Sequence, residues 1–219
     1  MVRDTAWVES TFGRFAWRES AGQRGAIEIL GEWPRHNIVS LAPPMALRDG
    51  RGRPLRVIRC HRLIATPLRR VLVELADREL GHLINTFDGC FVARHMSWNP
   101  QRPLSRHAWG IAVDVNARLF PFGSQARQDD RLISAFARQG FAWGGDWRTP
   151  DPMHFEMVTL PQLDAALDIL LDGERLTGGF MHEGRAMAPV REIAEALGAT
   201  VEARVQEGEV EIHTPAGEK

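Results

Sequence analysis

The chain has 219 residues, enough for one good-sized domain and a small second one. With 44% hydrophobic and 25% charged residues and a net charge of −1, its make-up is that of an ordinary globular protein, without the basic excess that binding nucleic acid requires. No run of about 18 apolar residues is present, so no membrane span is expected, and the stretch from Met1 to Trp7 lacks the apolar core of a signal peptide. Synthesis in the cytoplasm is therefore expected. Cys60 and Cys90 form no metal-type cluster and read either as two free thiols in or near a core or as a disulfide.

Residues 1–30 read as an irregular lead-in that packs its aromatics on the main domain, with a short strand near Ile27–Leu30. The main domain spans 31–172. Residues 55–64 suggest a strand. Thr66-Pro67 has the form of a helix start, Thr66 as N-cap and Pro67 at the first helical position. Leu68, Val71, Leu72 and Leu75 follow at helical spacing, to a stop near Gly81. Asn85–Arg94 suggests a turn at Asp88-Gly89 between short strands. A helix is expected over Asp129–Gln139 with Leu132, Ile133 and Phe136 inward, closed by Gly140. Pro161 is read as opening another helix, with Leu163, Ala166, Leu167 and Leu170, that stops at Gly173. Residues 173–219 read as a small α+β unit with a polar tail. Pro189 opens its helix, carrying Val190, Ile193, Ala194 and Leu197 on one face. Val201–Val205 and Glu209–His213 form its hairpin, joined at Glu207-Gly208.

The stretch Ser105–Asp114 carries the chemistry. Ile111, Val113 and Val115 alternate with Ala112, Asp114 and Asn116, the period of a strand, so Asp114 faces away from its apolar neighbours. A carboxylate on such a strand must be hydrated, paired or bound to a metal. His107 lies just before it, and a bend at Gly110 can bring the ring back. Met153, Phe155 and Met157 alternate with His154 and Glu156 in the same way, which offers a third ligand. Two imidazoles and one carboxylate are a donor set for a catalytic zinc with an open fourth position. Asp151, three residues before His154, is placed to act as a general base, with Glu156 as the alternative. Arg94 is the candidate for stabilising an oxyanion. Each residue also has a plainer reading: His107 as a satisfied structural histidine, Asp114 as a buried acceptor, Asp151 as a turn former before Pro152, and Arg94 as a surface charge. The remaining histidines read as surface or structural residues.

Ser105-x-His107-x-x-Gly110-x-Ala112-x-Asp114, then Trp143-Gly144-Gly145-Asp146-Trp147, then Asp151-x-x-His154-Phe155, together resemble the M15 family of zinc peptidases. That family includes D-alanyl-D-alanine carboxypeptidases and L-alanyl-D-glutamate endopeptidases of bacteria and phages. The resemblance covers about residues 30–158, with several spaced motifs in the right order. It implies an α+β fold, a small antiparallel sheet with helices packed around it. It implies zinc held by His107, Asp114 and His154, Asp151 as catalytic base, and substrate contact from Arg94. Ser105, Trp143, Asp146 and Trp147 are the further substrate-binding residues it implies. The Trp-Gly-Gly-Asp-Trp segment is like that of the endopeptidase branch.

Residues 184–199 resemble the small N-terminal module of copper amine oxidases, an accessory unit without copper chemistry of its own. The resulting expectation is a monomeric zinc peptidase that cuts an amide bond in the peptidoglycan stem peptide. It would reach the cell wall by release, as an endolysin does, or by non-classical export. A D-alanyl-D-alanine carboxypeptidase is the rival within the class. A non-catalytic wall-binding protein with a structural metal site is the rival outside it, and the intact set of four residues argues against that.

Overall fold

The computed structural model describes residues 3–161, 167–171, 174–182, 185–187, 193–195, 197–198, 200–204 and 209–213. The chain divides into two units, Met1–Pro161 and Gln162–Lys219. The first opens with helix α1 (Thr5–Phe12), strands β1 (Ala16–Glu19) and β2 (Ile27–Leu30), and helix α2 (Trp33–Asn37). Strands β3 (Ile38–Leu41), β4 (Leu47–Arg48), β5 (Pro54–Leu55) and β6 (Ile58–His61) precede helix α3 (Arg62–Asp77). Strands β7 (Phe87–Gly89) and β8 (Ala112–Val115), helix α4 (Asp130–Arg138), and strands β9 (Phe141–Trp143) and β10 (His154–Met157) complete it. The class is α+β, with small antiparallel sheets and a few helices.

The central sheet has the order β7-β8-β10-β9, antiparallel throughout. Alternation along β8 and β10 gives it two different faces. Val113, Val115, Phe155 and Met157 point into the core at 1% exposure or less. There Phe136 of α4 stacks on Phe155 with ring centroids 4.1 Å apart. Asp114, His154 and Glu156 occupy the opposite face.

Helix α3 places Ile64, Leu68, Val71, Leu72 and Leu75 on one buried stripe. Complete burial of each contributes about 1.5–3 kcal/mol, so this one helix anchors much of the unit. It starts a turn earlier than the Thr66-Pro67 cue implies. The ring of His61 is the N-cap: Nδ1 accepts the Leu63 N–H at 3.2 Å, and Nε2–H donates to the carbonyl of Phe12 at 3.2 Å. Burial pushes His61 down to about 4, so the ring stays neutral in that tautomer. Pro67 therefore sits inside the helix. The helix also stops short of Gly81. Glu79 takes a positive φ of 57°, and the N–H groups of Leu80 and Glu79 close on the carbonyls of Leu75 and Ala76 in a Schellman arrangement.

Other expectations are corrected. The lead-in is regular: α1 and the β1–β2 pair fill it. Its end is held down by indole groups, Trp33 Nε1–H donating to Phe12 O and Trp109 Nε1–H to Gly13 O. Asp88-Gly89 is part of β7, at a bulge opposite Asp114 and Val115, and forms no turn. Cys60 and Cys90 are buried free thiols, both pushed up by burial, Cys60 to about 12.

In the second unit, strands β11 (Leu167–Leu171), β12 (Glu174–His182) and β13 (Arg185–Met187) form an antiparallel sheet. The helix expected from Pro161 to Gly173 is thus a strand over Leu167–Leu171; residues 162–166 of that segment lie outside the described residues. A short apolar run has no period that separates strand from helix, and here a neighbouring strand supplies its hydrogen bonds. Strands β14 (Thr200–Arg204) and β15 (Glu209–His213) pair as expected, while Val205 and the joint at Glu207-Gly208 lie outside the described residues. Residues 193–195 are helical, with Ala194 buried and Leu197 exposed rather than inward. Pro189 and Val190 also lie outside the described residues.

Gly110 connects this fold to the site. Its φ of 67° is left-handed, and a Cβ there would lie 3.0 Å from His61 N and 3.1 Å from Ile38 Cδ1. The left-handed conformation costs an L-residue about 1–2 kcal/mol. Gly110→Ala should lower stability by at least that amount in urea unfolding, whereas a change within about 0.5 kcal/mol would contradict the tight approach of Gly110 to β6.

Candidate metal centre

The register of the β8–β10 ladder sets Asp114 directly opposite His154. Such cross-strand partners have Cβ atoms about 4.5–5.5 Å apart, so their side chains meet. His107 arrives by another route. It belongs to a 3-10 turn over Arg106–Trp109, capped by Ser105, whose Oγ accepts the His107 N–H at 3.4 Å. Left-handed Gly110 ends that turn and feeds the chain into β8, and His107 Nε2 meets Asp114 Oδ2.

The three side chains converge closely. His107 Nε2 lies 3.1 Å from Asp114 Oδ2 and 3.3 Å from His154 Nδ1, and His154 Nδ1 lies 2.9 Å from Asp114 Oδ1. The outer ring nitrogens are used elsewhere. His107 Nδ1–H donates to the carbonyl of Cys90 at 2.8 Å, and His154 Nε2–H donates to Glu156 Oε2 at 3.4 Å. In neutral rings this leaves two nitrogen lone pairs and a carboxylate facing one another. Acceptors in that arrangement need a cation between them, either protons or a metal. All three donor atoms lie within 4.8 Å of one another, so the set fits a single ion.

Electrostatics agree. Burial disfavours charge on both Asp114 and His154, but their mutual contact outweighs it. Asp114 is held well below the carboxylate range by His107 and His154. His154, bonded to Asp114 and Glu156, is pushed up to about 10.

Asp151 sits on the loop between β9 and β10. Its N–H donates to Gly144 O at 2.9 Å and its own carbonyl accepts the His154 N–H at 3.0 Å. Gly144 permits this closure: a Cβ there would lie 2.6 Å from the Asp151 carbonyl oxygen. Asp151 Oδ1 is buried with no partner among the described residues. Burial raises the Asp151 pKa and the charge of Asp114 adds to this, against His154, His107 and Arg94. Arg94 is half-buried, its charge bears on Asp114 and Asp151, and its guanidinium lies over the Trp98 ring at 5.4 Å.

A cleft of about 500 Å³ opens on this face, lined by Arg94, Ser105, Trp147, Asp151, His154 and Glu156 among others. Trp147 stands 5.3 Å from the His154 ring. Trp143 and Asp146 do not line the cleft. Trp143 is turned inward at 7% exposure, its Nε1–H donating to Pro152 O, and Asp146 faces solvent beside Arg127. Glu156 is the neighbour that the ligand pattern left without a place beside His154, although its alternation with Phe155 put it on that face. The Cys90 carbonyl, a backbone acceptor, leaves no mark in the sequence.

Residues 98–157 match the M15 peptidase family model described as D-alanyl-D-alanine carboxypeptidase. The match supports a peptidase. It spans His107, Asp114, Asp151 and His154, and Arg94 lies just upstream of it. No curated protein matches the chain. The matched segment ends before the second unit, so the resemblance of residues 184–199 to the copper amine oxidase module has no support from it. No helix among the described residues is long and apolar enough to cross a membrane.

Because His154 holds a proton up to about pH 10, a metal must displace it at neutral pH. Zinc uptake by metal-stripped protein should release at least one proton per ion, and its apparent affinity should rise about tenfold per pH unit through neutrality. Calorimetry in buffers of different ionisation enthalpy measures this directly. Binding without proton release would contradict the raised pKa of His154.

Proposed function

We propose that the first unit is a zinc-dependent peptidase that hydrolyses an amide bond in the stem peptide of peptidoglycan, acting at the cell wall. The observation that carries this reading is the convergence of His107, Asp114 and His154 within reach of one ion, beside Asp151, in a segment that matches a peptidase family. His107 through Nε2, His154 through Nδ1 and Asp114 through its carboxylate would hold the zinc. When bound, it supplies Lewis acidity, which lowers the pKa of a water it holds to about 7 and polarises a carbonyl.

The protein's own groups carry the rest. Asp151 Oδ1, buried and free of other donors among the described residues, accepts the proton of the attacking water and returns it to the leaving amine. Its raised pKa brings it closer to that exchange. Arg94 donates to the oxygen on which negative charge develops. Trp147 and Ser105 line the cleft with His154.

Within this class, cleavage between L-alanine and D-glutamate is the reading favoured by the Trp143–Trp147 segment. Removal of a terminal D-alanine is the second reading, favoured by the description of the matching family. Mass spectrometry of fragments from purified peptidoglycan separates the two. New L-alanine and D-glutamate ends are expected, and release of D-alanine alone would select the second reading. Asp151→Asn should keep its zinc and lose about 10²–10⁴-fold in rate. Full activity with full zinc would place the base elsewhere, and lost zinc would make Asp151 a ligand.

A further inference from the structure

Glu156 is 3% exposed and lines the cleft, and with Asp151 as the base it takes no proton in the proposed hydrolysis. A carboxylate so far from water is costly unless something pairs with it. Its Oε2 lies 3.4 Å from His154 Nε2, and its Oε1 has no partner among the described residues. Among the described residues, no competing donor therefore draws this carboxylate away from the ring.

We propose that Glu156 is the positioning residue for His154, an inference that rests on the metal-centre reading. A neutral imidazole carries one proton. For Nδ1 to present a lone pair beside Asp114, the proton must sit on Nε2 and needs an acceptor there. Glu156 supplies it from two residues along the same strand, where alternation returns the side chain to the same face. It fixes both the tautomer and the plane of the ring. His107 has the equivalent support from the Cys90 carbonyl at 2.8 Å. The two supports differ in kind. A backbone carbonyl is neutral and fixed, whereas a carboxylate adds negative charge behind the ring and makes Nδ1 a stronger donor.

The charge balance points the same way. Asp151 and Glu156 line one cleft with Arg94, whose charge bears on Asp114 and Asp151. A divalent ion supplies what is still missing, so Glu156 also raises the electrostatic attraction of the site for such an ion.

The test is zinc affinity, measured by competition with a chromophoric chelator on the full chain, together with the visible absorption of the cobalt-substituted protein. E156A should bind zinc about 10–100-fold more weakly and shift the cobalt spectrum, because the ring loses its anchor. E156Q keeps a carbonyl acceptor without the charge and should fall between E156A and the parent; being isosteric, it carries the test where E156A unfolds. Variants that bind within twofold of the parent, with an unshifted cobalt spectrum, overturn the proposal while the metal centre stands. A parent that takes up neither metal overturns both.

Discussion

Asp114 and His154 face each other across the β8–β10 ladder, and the site depends on that register. A slip of one residue in either strand would turn its own ligand to the core and bring Val113 or Phe155 to the cleft in its place. The register is held from the other side of the same strands, where Val113, Val115, Phe155 and Met157 are buried in the core and Phe155 stacks on Phe136 of α4. The core thus specifies the site: the apolar face fixes which polar residues stand opposite each other. Gly110 adds the third ligand by turning the chain so that His107 reaches Asp114 and His154.

Burying this many charges is unfavourable unless they compensate one another. Asp114 lies between the two imidazoles, one oxygen to each. The outer nitrogens are tied to Cys90 and Glu156, so the inner lone pairs are committed to the centre. Asp151 is different, because its Oδ1 is buried without a donor among the described residues and is open to a proton. Two carboxylates on neighbouring elements are thereby pushed in opposite directions, Asp114 toward permanent charge and Asp151 toward protonation. That separation suits one to ligation and the other to proton transfer.

Much of this centre was legible in the sequence. Strict alternation at 111–116 and 153–157 identified two strands and put Asp114, His154 and Glu156 on polar faces, while the bend at Gly110 explained His107. The Trp-Gly-Gly-Asp-Trp segment was less transparent. Trp143 closes the core and Asp146 faces solvent, so only Trp147 of its side chains borders the cleft. Elsewhere, local cues lost to tertiary ones. The ring of His61 capped α3 ahead of the Thr66-Pro67 signal, because Phe12 was present to take its other N–H. Helix α1 escaped notice because eight residues with two buried side chains carry little periodicity. Strand β11 was read as a helix because its hydrogen-bonding partner lies in another segment.

The central claim is that one metal ion is held by two imidazoles and a carboxylate drawn from three places in the chain. X-ray absorption at the zinc edge tests it most directly. The account predicts one zinc per chain with nitrogen and oxygen neighbours at about 2.0–2.2 Å. Zinc–sulfur distances of about 2.3 Å, or a protein that retains no zinc, would contradict it.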